Sequence, residues 1–235
     1  KTHMKASDVA KILSDQSQAG GFVEVRAGER VSDVITAAAQ ASGKDVSEFQ
    51  SVIDGGGDGI LPSEAGGKFE GWFEPGTYDA QNKSAEDIIK AMVEARIAKL
   101  DKLGVPTGSD RERILIIASI AESEVGSEQY YGKVARVILN RIDAGMPLGM
   151  DTTVAYGLGI SASQLTDDQL NDSSNPYNTR INKGLPPTPI SNPGDGAITA
   201  AMDPPEGKWL YFVTTNLKTG ETKFVETEDE FWKIR

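Results

Sequence analysis

Residues 109–124 read Ser109-Asp110-Arg111-Glu112-Arg113-Ile114-Leu115-Ile116-Ile117-Ala118-Ser119-Ile120-Ala121-Glu122-Ser123-Glu124. The run from Ile114 to Ala121 is apolar on every side of a helix, which is typical of a helix that passes through a hydrophobic core. Ser109 and Glu112 have the spacing of a capping box, in which two side chains pair with backbone N–H groups at the helix start. The sequence therefore predicts a buried helix with two glutamates at its C-terminal end.

The residues after this helix predict a mixed domain. A second helix is expected over about Glu128–Ala144, and Gly145 ends it. Residues Met146–Pro205 are rich in Gly, Pro, Asn and Ser, which predicts a long irregular segment laid over the helices. Residues 209–213 and 222–225 then predict a β-hairpin, and a capping box at 227–230 starts a short last helix.

The residues before the buried helix predict short elements of both kinds. Phe22–Val25 alternates apolar and polar side chains as a half-buried strand does. One helix is expected to begin near Ser32 and end at Gly43, and a second to begin near Ser47. Two short extended pieces are expected around Pro75-Gly76, and a longer helix over Ser84–Leu100.

The predicted fold class is α+β, with a small α/β subdomain followed by a mixed helical domain that ends in a C-terminal β-hairpin. We expect residues 1–19 to be a tag remnant and an N-terminal helix (Ala6–Gln18), residues 20–104 the small subdomain with a connecting segment and helix, and residues 105–235 the larger domain. Lys1-Thr2-His3-Met4 resembles a tag remnant, so we expect that a native membrane anchor has been removed. No stretch approaches the roughly 20 apolar residues of a membrane-spanning helix.

Composition excludes several classes of function. The chain has 24 Lys and Arg against 35 Asp and Glu, a formal net charge of -11, and no basic run, so nucleic acid is not an expected partner. His3 is the only histidine, and there is no cysteine. These counts exclude a Ser-His-Asp triad and a multi-histidine or thiolate zinc site, and no metal or other cofactor is expected.

Glu122 is the candidate catalytic residue because it ends an apolar helical run. Apolar surroundings disfavour a carboxylate anion, so the pKa of such a carboxyl group rises and the group can donate a proton near neutral pH. The structural alternative is a helix-end glutamate that caps the next loop or pairs with Arg136 or Arg141. Glu124 lies about 200° further round the helix, and periodicity alone does not decide which of the two faces a cleft.

A series of short motifs follows in a fixed order along the chain. They are Ala118-Ser119-Ile120-Ala121-Glu122-Ser123-Glu124, Val137-Ile138-Leu139-Asn140-Arg141, Gly145-Met146-Pro147-Leu148, Asp151-Thr152-Thr153-Val154-Ala155-Tyr156-Gly157, Tyr177-Asn178-Thr179, Gly184-Leu185-Pro186-Pro187-Thr188-Pro189-Ile190 and Asn192-Pro193-Gly194. In this order the motifs resemble those of the MltG/YceG-like family of endolytic murein transglycosylases. The resemblance covers nearly the whole chain, since residues 23–53 resemble the family's small LysM-like subdomain and residues 70–78 its connecting segment.

The resemblance implies a membrane-anchored lytic transglycosylase on the extracytoplasmic face of the bacterial cell membrane. Such an enzyme cuts the bond between N-acetylmuramic acid and N-acetylglucosamine in nascent glycan strands and leaves a 1,6-anhydro end. The resemblance also matches Glu122, the first glutamate of Glu-x-Glu, to the acid/base. Peptidoglycan glycan strands and cell-wall synthases are the implied partners.

We predict eight substrate-binding residues within the motifs. Asp151 is expected to orient the sugar or support an oxocarbenium-like state, with the capping of a turn as its structural alternative. For the others, packing or a rigid loop is the alternative to hydrogen bonds with sugar groups or to a cleft wall. The eight are Asp151, Thr153, Tyr156, Asn178, Thr179, Leu185, Pro186 and Asn192.

The chain departs from the family pattern in places, and two other functions stay open. Thr222 and Phe231 stand where relatives often carry histidines, and Asp151-Thr152-Thr153 replaces Asp-Pro-Thr. One alternative function is a muramidase-type hydrolase in which Asp151 or Glu124 activates water. The other is a non-catalytic scaffold that binds peptidoglycan through the LysM-like part.

Overall fold

The computed structural model describes residues 21–216 and 218–235. The predicted helix at Ala6–Gln18 and the tag remnant lie outside these residues. Among the helices that the structure describes, none combines the length and the apolar character needed to cross a membrane. The predicted α+β class is confirmed, because helices are joined to two separate two-stranded antiparallel sheets.

The first half of the described chain contains one small sheet, three α-helices and a short 3-10 helix (Ser63–Ala65). The order of strands and α-helices is β1 (Phe22–Val25), α1 (Val31–Ser42), α2 (Val46–Asp54), β2 (Gly76–Asp79) and α3 (Ala85–Leu103). Strand β1 pairs antiparallel with β2, with Phe22 opposite Asp79. Helix α1 ends at Gly43, whose φ of 69° is a left-handed conformation that glycine adopts without strain. Helix α3 begins where the sequence predicts it, with Ser84 as its N-cap, and the Ser84 hydroxyl accepts a hydrogen bond from the Asp87 N–H.

The second half contains α4 (Ser109–Glu124), α5 (Tyr131–Asp143), α6 (Asp151–Leu158), α7 (Asp167–Leu170), α8 (Asp195–Met202), the hairpin β3 (Tyr211–Asn216) and β4 (Glu221–Val225), and α9 (Glu228–Ile234). The predicted hairpin and last helix are confirmed. The segment predicted to be irregular also contains the short helices α6, α7 and α8. They were not predicted because the segment is rich in Gly and Pro.

The predicted capping box at the start of α4 is wrong. Gly108, with a φ of 80°, is the N-cap residue, and no side chain caps the helix. The Glu112 carboxylate instead accepts a hydrogen bond from the indole N–H of Trp72 at 3.0 Å. The Glu112 side chain therefore binds the connecting segment and does not cap its own helix.

Two hydrophobic clusters form the interior. The first is built from β1, α1, α2 and α3 with the rings of Phe69 and Phe73. The second surrounds α4 and includes α5, α8 and Trp72. Leu115, Ile120 and Ala121 are fully buried, which confirms that α4 passes through a core.

Asn192 joins the two halves of the molecule through backbone groups. Its N–H and its side-chain amide both donate to the Glu29 carbonyl, at 2.8 and 2.9 Å, and its own carbonyl accepts from the Gly28 N–H at 2.8 Å. Its side-chain oxygen accepts from the Phe73 N–H at 2.9 Å. Because Asn192 is 0% exposed, these bonds hold the β1–α1 turn and the connecting segment against the loop before α8.

Candidate active site

Glu122 lies on the last turn of α4, where three parts of the chain meet. Its carboxylate is half-buried, and both oxygens lie 3.3 Å from the Gly194 N–H. A Cβ placed on Gly28 would lie 3.8 Å from Glu122 Oε2, and one on Gly194 would lie 3.3 Å from Oε1. Gly194 therefore allows the loop before α8 to approach the carboxyl group closely, whereas the β1–α1 turn lies at an ordinary contact distance.

The loop that carries Gly194 is held in place by a buried arginine from α3. Arg96 is 0% exposed and donates to the carbonyls of Phe73 and Pro193, at 2.8 and 2.7 Å. Its guanidinium also forms an ion pair with Glu74 at 2.9 Å. Since Pro193 directly precedes Gly194, Arg96 and Asn192 together position the N–H group that contacts Glu122.

The surroundings of Glu122 favour its protonated form. Burial raises the pKa of this carboxyl group above its usual value, and the charge of Glu128 raises it further. The Gly194 N–H and the Arg96 charge act in the opposite direction and lower the pKa. The net effect is an upward shift, so this carboxyl group is suited to donate a proton and still has a hydrogen-bond donor for the anion that results.

The structure does not show the pairing of Glu122 with Arg136 or Arg141 that was the structural alternative. Arg136 donates to the carbonyls of Pro204 and Pro205, at 2.9 and 2.8 Å. Arg141 donates to the carbonyls of Leu148 and Leu210. Both guanidinium groups therefore bind backbone oxygens that hold the segments after α5 and α8.

Glu124 faces a different part of the molecule. Its Oε1 accepts hydrogen bonds from the Thr152 hydroxyl at 2.5 Å and from the Thr152 N–H at 3.4 Å. Burial raises the pKa of this carboxyl group, and its bonds to Thr152 lower it. Glu124 lines a cleft of about 540 Å³ together with Asp151, Arg180 and Tyr211. The two glutamates thus point to separate regions, as their spacing along the helix requires.

Asp151 is the first residue of α6 and lies at the wall of the Glu124 cleft. Its Oδ1 forms an ion pair with Arg180 at 2.8 Å, and both side chains are close to half exposed, at 49% and 43%. Such an exposed pair is weakly held, so either partner can be released to a ligand at little cost. Asp151 is not among the residues that contact Glu122.

Three of the predicted substrate-binding residues are buried and make their hydrogen bonds within the protein. The hydroxyl groups of Thr153 and Thr179 are 2.9 Å apart, and the Thr153 hydroxyl also donates to the Met150 carbonyl at 2.7 Å. The Asn178 amide donates to the carbonyls of Leu170 and Asp172, at 3.2 and 2.8 Å. All three side chains are enclosed, so they fix the loops around α6 and present no group to a ligand in this conformation.

Tyr156 contacts Glu70, which is not among the predicted site residues. The Tyr156 hydroxyl donates to Glu70 Oε2 at 2.9 Å, and the Arg30 guanidinium lies 5.3 Å from the centre of the Tyr156 ring. Glu70 is 8% exposed, and burial raises its pKa to about 7. Its place between Phe69 and Gly71-Trp72-Phe73 was the available signal, because an acidic residue within an aromatic run must be buried with partners.

The other predicted contacts lie on the segment that leads to Asn192. Leu185 is half-buried and packs against the second hydrophobic cluster, whereas Pro186 is buried. Asn192 is enclosed as described above. The structure therefore places Asn192 against the turn and the loop that contact Glu122, Asp151 in the Glu124 cleft and Tyr156 beside Glu70. Among the described residues, no group of three or more acidic, His or Cys side chains is arranged to hold a metal ion.

Comparisons with known proteins agree with this architecture. The crystal structure of a yceG-like protein from Listeria monocytogenes has a TM-score of 0.78 to the chain at 28% identity, and the match covers 99% of this chain and 82% of that protein. The sequence model of the YceG-like family matches residues 1–234. The chain belongs to the YceG-like family.

Two relatives extend the comparison to proteins with named activities. The endolytic murein transglycosylase of Bacillus subtilis (strain 168) is 33% identical over 171 residues, which are 71% of this chain and 47% of that protein. The endolytic murein transglycosylase of Streptococcus pneumoniae serotype 2 (strain D39 / NCTC 7466) is 26% identical over 182 residues, 73% of this chain and 32% of that protein. The chain thus spans less than half the length of either relative.

Proposed function

We propose that this chain is the catalytic part of an endolytic peptidoglycan lytic transglycosylase. It cuts the bond between N-acetylmuramic acid and N-acetylglucosamine in nascent glycan strands, which ends strand elongation and leaves 1,6-anhydro-N-acetylmuramic acid. The observation that carries the proposal is the half-buried Glu122 carboxyl group, whose pKa is raised and which contacts the Gly194 N–H. The names of the relatives support the same substrate.

One carboxyl group is enough for this reaction. Protonated Glu122 gives its proton to the glycosidic oxygen, so the bond from that oxygen to C1 of the muramic acid breaks and the leaving sugar keeps the proton as a hydroxyl group. The Glu122 carboxylate then takes the proton of the C6 hydroxyl group, whose oxygen bonds to C1 and closes the anhydro ring. Water is not consumed, so the second carboxylate of ordinary glycosidases is not required.

The predicted contact residues divide into two groups in this proposal. Asp151, Tyr156 and Leu185 are at least partly exposed, and we retain them as contacts of the glycan strand. The buried residues act as positioning residues for the loops that form the site. These positioning residues are Thr153, Asn178, Thr179, Pro186 and Asn192.

The same proposal assigns the parts of the chain and their setting. Residues 20–104 are the LysM-like subdomain with its connecting segment and helix, and residues 105–235 are the YceG-like catalytic domain. The enzyme works on the extracytoplasmic face of the bacterial cell membrane, held by a single N-terminal anchor. Its partners are peptidoglycan strands and cell-wall synthases. The family and the murein substrate of its relatives support this setting.

The test is a digestion of purified glycan strands followed by mass spectrometry of the ends. The parent protein should produce anhydro ends, and Glu122→Gln should reduce their rate at least 100-fold, as expected for loss of a general acid. Glu124→Gln is the matched control on the same helix turn, and we expect it to retain the rate within a few-fold. A membrane-tethered form of each protein should be assayed in parallel, because tethering raises the local concentration of enzyme at the strand.

The alternatives predict different products. Reducing ends in place of anhydro ends would establish a muramidase-type hydrolase. A parent protein that binds strands but cuts none, with Glu122→Gln equally active in cells, would establish a non-catalytic scaffold. If Glu122→Gln is fully active and Glu124→Gln is inactive, Glu124 is the general acid instead of Glu122.

A further inference from the structure

The Glu124 cleft is separate from the site around Glu122, which is not among its lining residues. Its volume of about 540 Å³ is within the range of sites that bind small molecules. The wall is formed by α5, by the ends of α4, α6 and α7 that meet there, and by β3 and α9. Besides Glu124, Asp151, Arg180 and Tyr211 it includes Arg141, Ile181, Phe212 and Phe231.

Arg141 has an unused nitrogen at this cleft. Its Nε donates to the Leu210 carbonyl at 2.6 Å and its Nη1 donates to the Leu148 carbonyl, so the guanidinium is fixed in place. In the described part of the chain, Nη2 has no hydrogen-bond partner and the guanidinium forms no ion pair. The Arg141 Cζ lies 5.2 Å from the centre of the Tyr211 ring. A guanidinium that is already oriented in this way can bind a ligand carboxylate through its remaining N–H groups.

Glu124 does not neutralise Arg141. The Glu124 Oε1 is bonded to the Thr152 hydroxyl, and burial, the largest influence on the pKa of this carboxyl group, raises it. The charge of Arg141 lowers the same pKa but is a smaller influence. The negative charge of Glu124 is therefore disfavoured, and the positive charge of Arg141 remains available to a ligand.

Asp151 and Arg180 add one charge of each sign to the same wall. Their 2.8 Å ion pair uses Asp151 Oδ1 and Arg180 Nη1, and both side chains are close to half exposed. Among the residues that the structure describes, Arg180 Nη2 has no hydrogen-bond partner. Because an exposed pair is weakly held, a ligand can bind here with an amino group at Asp151 and a carboxylate at Arg180.

The rest of the wall is apolar. The rings of Tyr211 and Phe231 have centroids 5.8 Å apart, and Phe212 lies beside them on β3. Ile181 is 40% exposed, which is unusual for a large aliphatic side chain. These groups can contact the methyl and methylene groups of a ligand.

This combination fits a short zwitterionic peptide. A peptide carries a carboxylate for Arg141 or Arg180, an amino group for Asp151 and apolar side chains for the rings. An uncharged sugar would cover Arg141 without supplying a counter-charge, and burial of an unpaired charge is costly. A phosphate or another polyanion would be repelled by Asp151.

The cleft is close enough to Glu122 for a peptide attached to the bound glycan to reach it. Glu122 and Glu124 are two residues apart on one helix turn, so their Cα atoms are about 5.5 Å apart and their carboxyl groups lie within roughly 15 Å. A peptide of four residues spans up to about 14 Å. A Cβ on Gly126, just beyond this end of α4, would have no atom within 4 Å, so the surface there is open.

We propose that the Glu124 cleft binds a short zwitterionic peptide through Arg141, Arg180 and Asp151, and that this peptide is the stem carried by the N-acetylmuramic acid units of the strand. The inference rests on the proposed function for the source of the peptide. The cleft holds the stem equally in the ground state and the transition state, so it lowers KM for strands that carry peptides and leaves kcat unchanged.

The first test is an NMR titration with the peptide N-acetyl-L-Ala-γ-D-Glu-L-Lys-D-Ala and with the same peptide acetylated on the lysine amino group. The backbone signal of Gly149, which lines the cleft, reports where the peptide binds. Arg180→Gln removes a charged contact, and Arg113→Gln, at an exposed arginine of α4 outside the cleft, is its control. Ile181→Trp fills the cleft without a change of charge and serves if Arg180→Gln does not fold. Val46→Trp, at an exposed residue of α2, is the control for Ile181→Trp.

We expect Arg180→Gln and Ile181→Trp to weaken binding of the free-amino peptide about tenfold, and both controls to leave it within twofold. Asp151→Asn should also weaken the free-amino peptide about tenfold, but should not weaken the acetylated one, because only the amino group contacts Asp151. No binding of the peptide, equal binding by Ile181→Trp and Val46→Trp, or equal losses for both peptides in Asp151→Asn would overturn the proposal.

The second test identifies the source of the peptide by strand cleavage. On strands that keep their peptides, Ile181→Trp should raise KM about tenfold at unchanged kcat. On strands stripped of peptides by an amidase, Ile181→Trp and the parent should have the same KM. An equal rise on both kinds of strand would overturn the stem as the ligand. If the parent cuts neither kind, the proposed function is wrong, and the NMR titration alone decides whether the cleft binds the peptide.

Discussion

Replacement of Glu70 by glutamine isolates the energetic cost of a buried carboxyl group between two parts of the chain. Glutamine has nearly the same size and is neutral at every pH, so the variant lacks only the titration. Glu70 has its pKa raised from 4.5 to about 7 in the folded protein, chiefly by burial. A group whose folded pKa is raised contributes stability below its unfolded pKa and loses that contribution as pH rises through the folded pKa.

The magnitude follows from the two pKa values. A shift of the Glu70 pKa from 4.5 to about 7 lowers the free energy of unfolding by about 3 kcal/mol at a pH above both values, relative to a pH below both. Between pH 5 and pH 8 the free energy of unfolding of the parent should fall relative to that of Glu70→Gln by about 2 to 3 kcal/mol. Any constant effect of the amide on the bonds to Val31 and Tyr156 cancels, because only the change with pH is compared.

The assay is urea unfolding of parent and variant at several pH values in that interval. The exposed Glu94, replaced by glutamine in the same way, is the control for removal of a carboxyl group. A difference between parent and Glu70→Gln that does not change with pH would refute the assignment of a raised pKa to Glu70. A difference that grows in favour of the parent as pH rises would show that the carboxylate is stabilised by its partners instead.

Two further predictions concern the loop contacts and the acid. Gly71 has a φ of 86°, and a Cβ there would lie 2.6 Å from Pro189 Cγ, so Gly71→Ala should lower the free energy of unfolding by about 3 kcal/mol. Gly104→Ala, at a φ of 76° with no atom within 4 Å, should cost only about 1 kcal/mol in the same urea assay, and equal losses would contradict the predicted clash. Because Glu122 must be protonated to donate and its pKa is raised, kcat for strand cleavage should fall only above the ordinary glutamate range; a fall within that range in the pH profile of kcat would contradict the shift.

Much of the fold could be predicted from the sequence because local signals agreed with the packing. The apolar run of α4, the start of α3 near Ser84 and the end of α1 at Gly43 are each determined by residues a few positions away. The positions of strands β3 and β4 were predictable for the same reason, since a hairpin is indicated by a turn between two short runs of strand-forming residues. The prediction of a capping box at Ser109 was wrong because the Glu112 carboxylate binds the indole N–H of Trp72, which is distant in sequence.

The site was less accessible to prediction because its parts meet only through tertiary contacts. Glu122 was selectable from its apolar helix and from resemblance, but no local pattern indicates that Gly28 and Gly194 lie beside it. Asn192 was predicted as a substrate contact, and nothing near it in sequence reveals that its amide binds Glu29 and Phe73. Glu70 was overlooked because its partner Tyr156 lies 86 residues away.

The bonds that Asn192 makes to the β1–α1 turn have a consequence for how this turn tolerates change. All of them go to main-chain atoms of Gly28 and Glu29, so the side chains of the turn do not determine whether the halves dock. Gly28 is constrained by its φ of 82°. A change of side chain at Glu29 leaves these bonds in place, whereas a side chain larger than that of Ala27 would crowd Gly194, because the Ala27 Cβ lies 3.0 Å from the position of a Cβ on Gly194. A larger residue at position 27 is therefore expected to displace the N–H group that contacts Glu122.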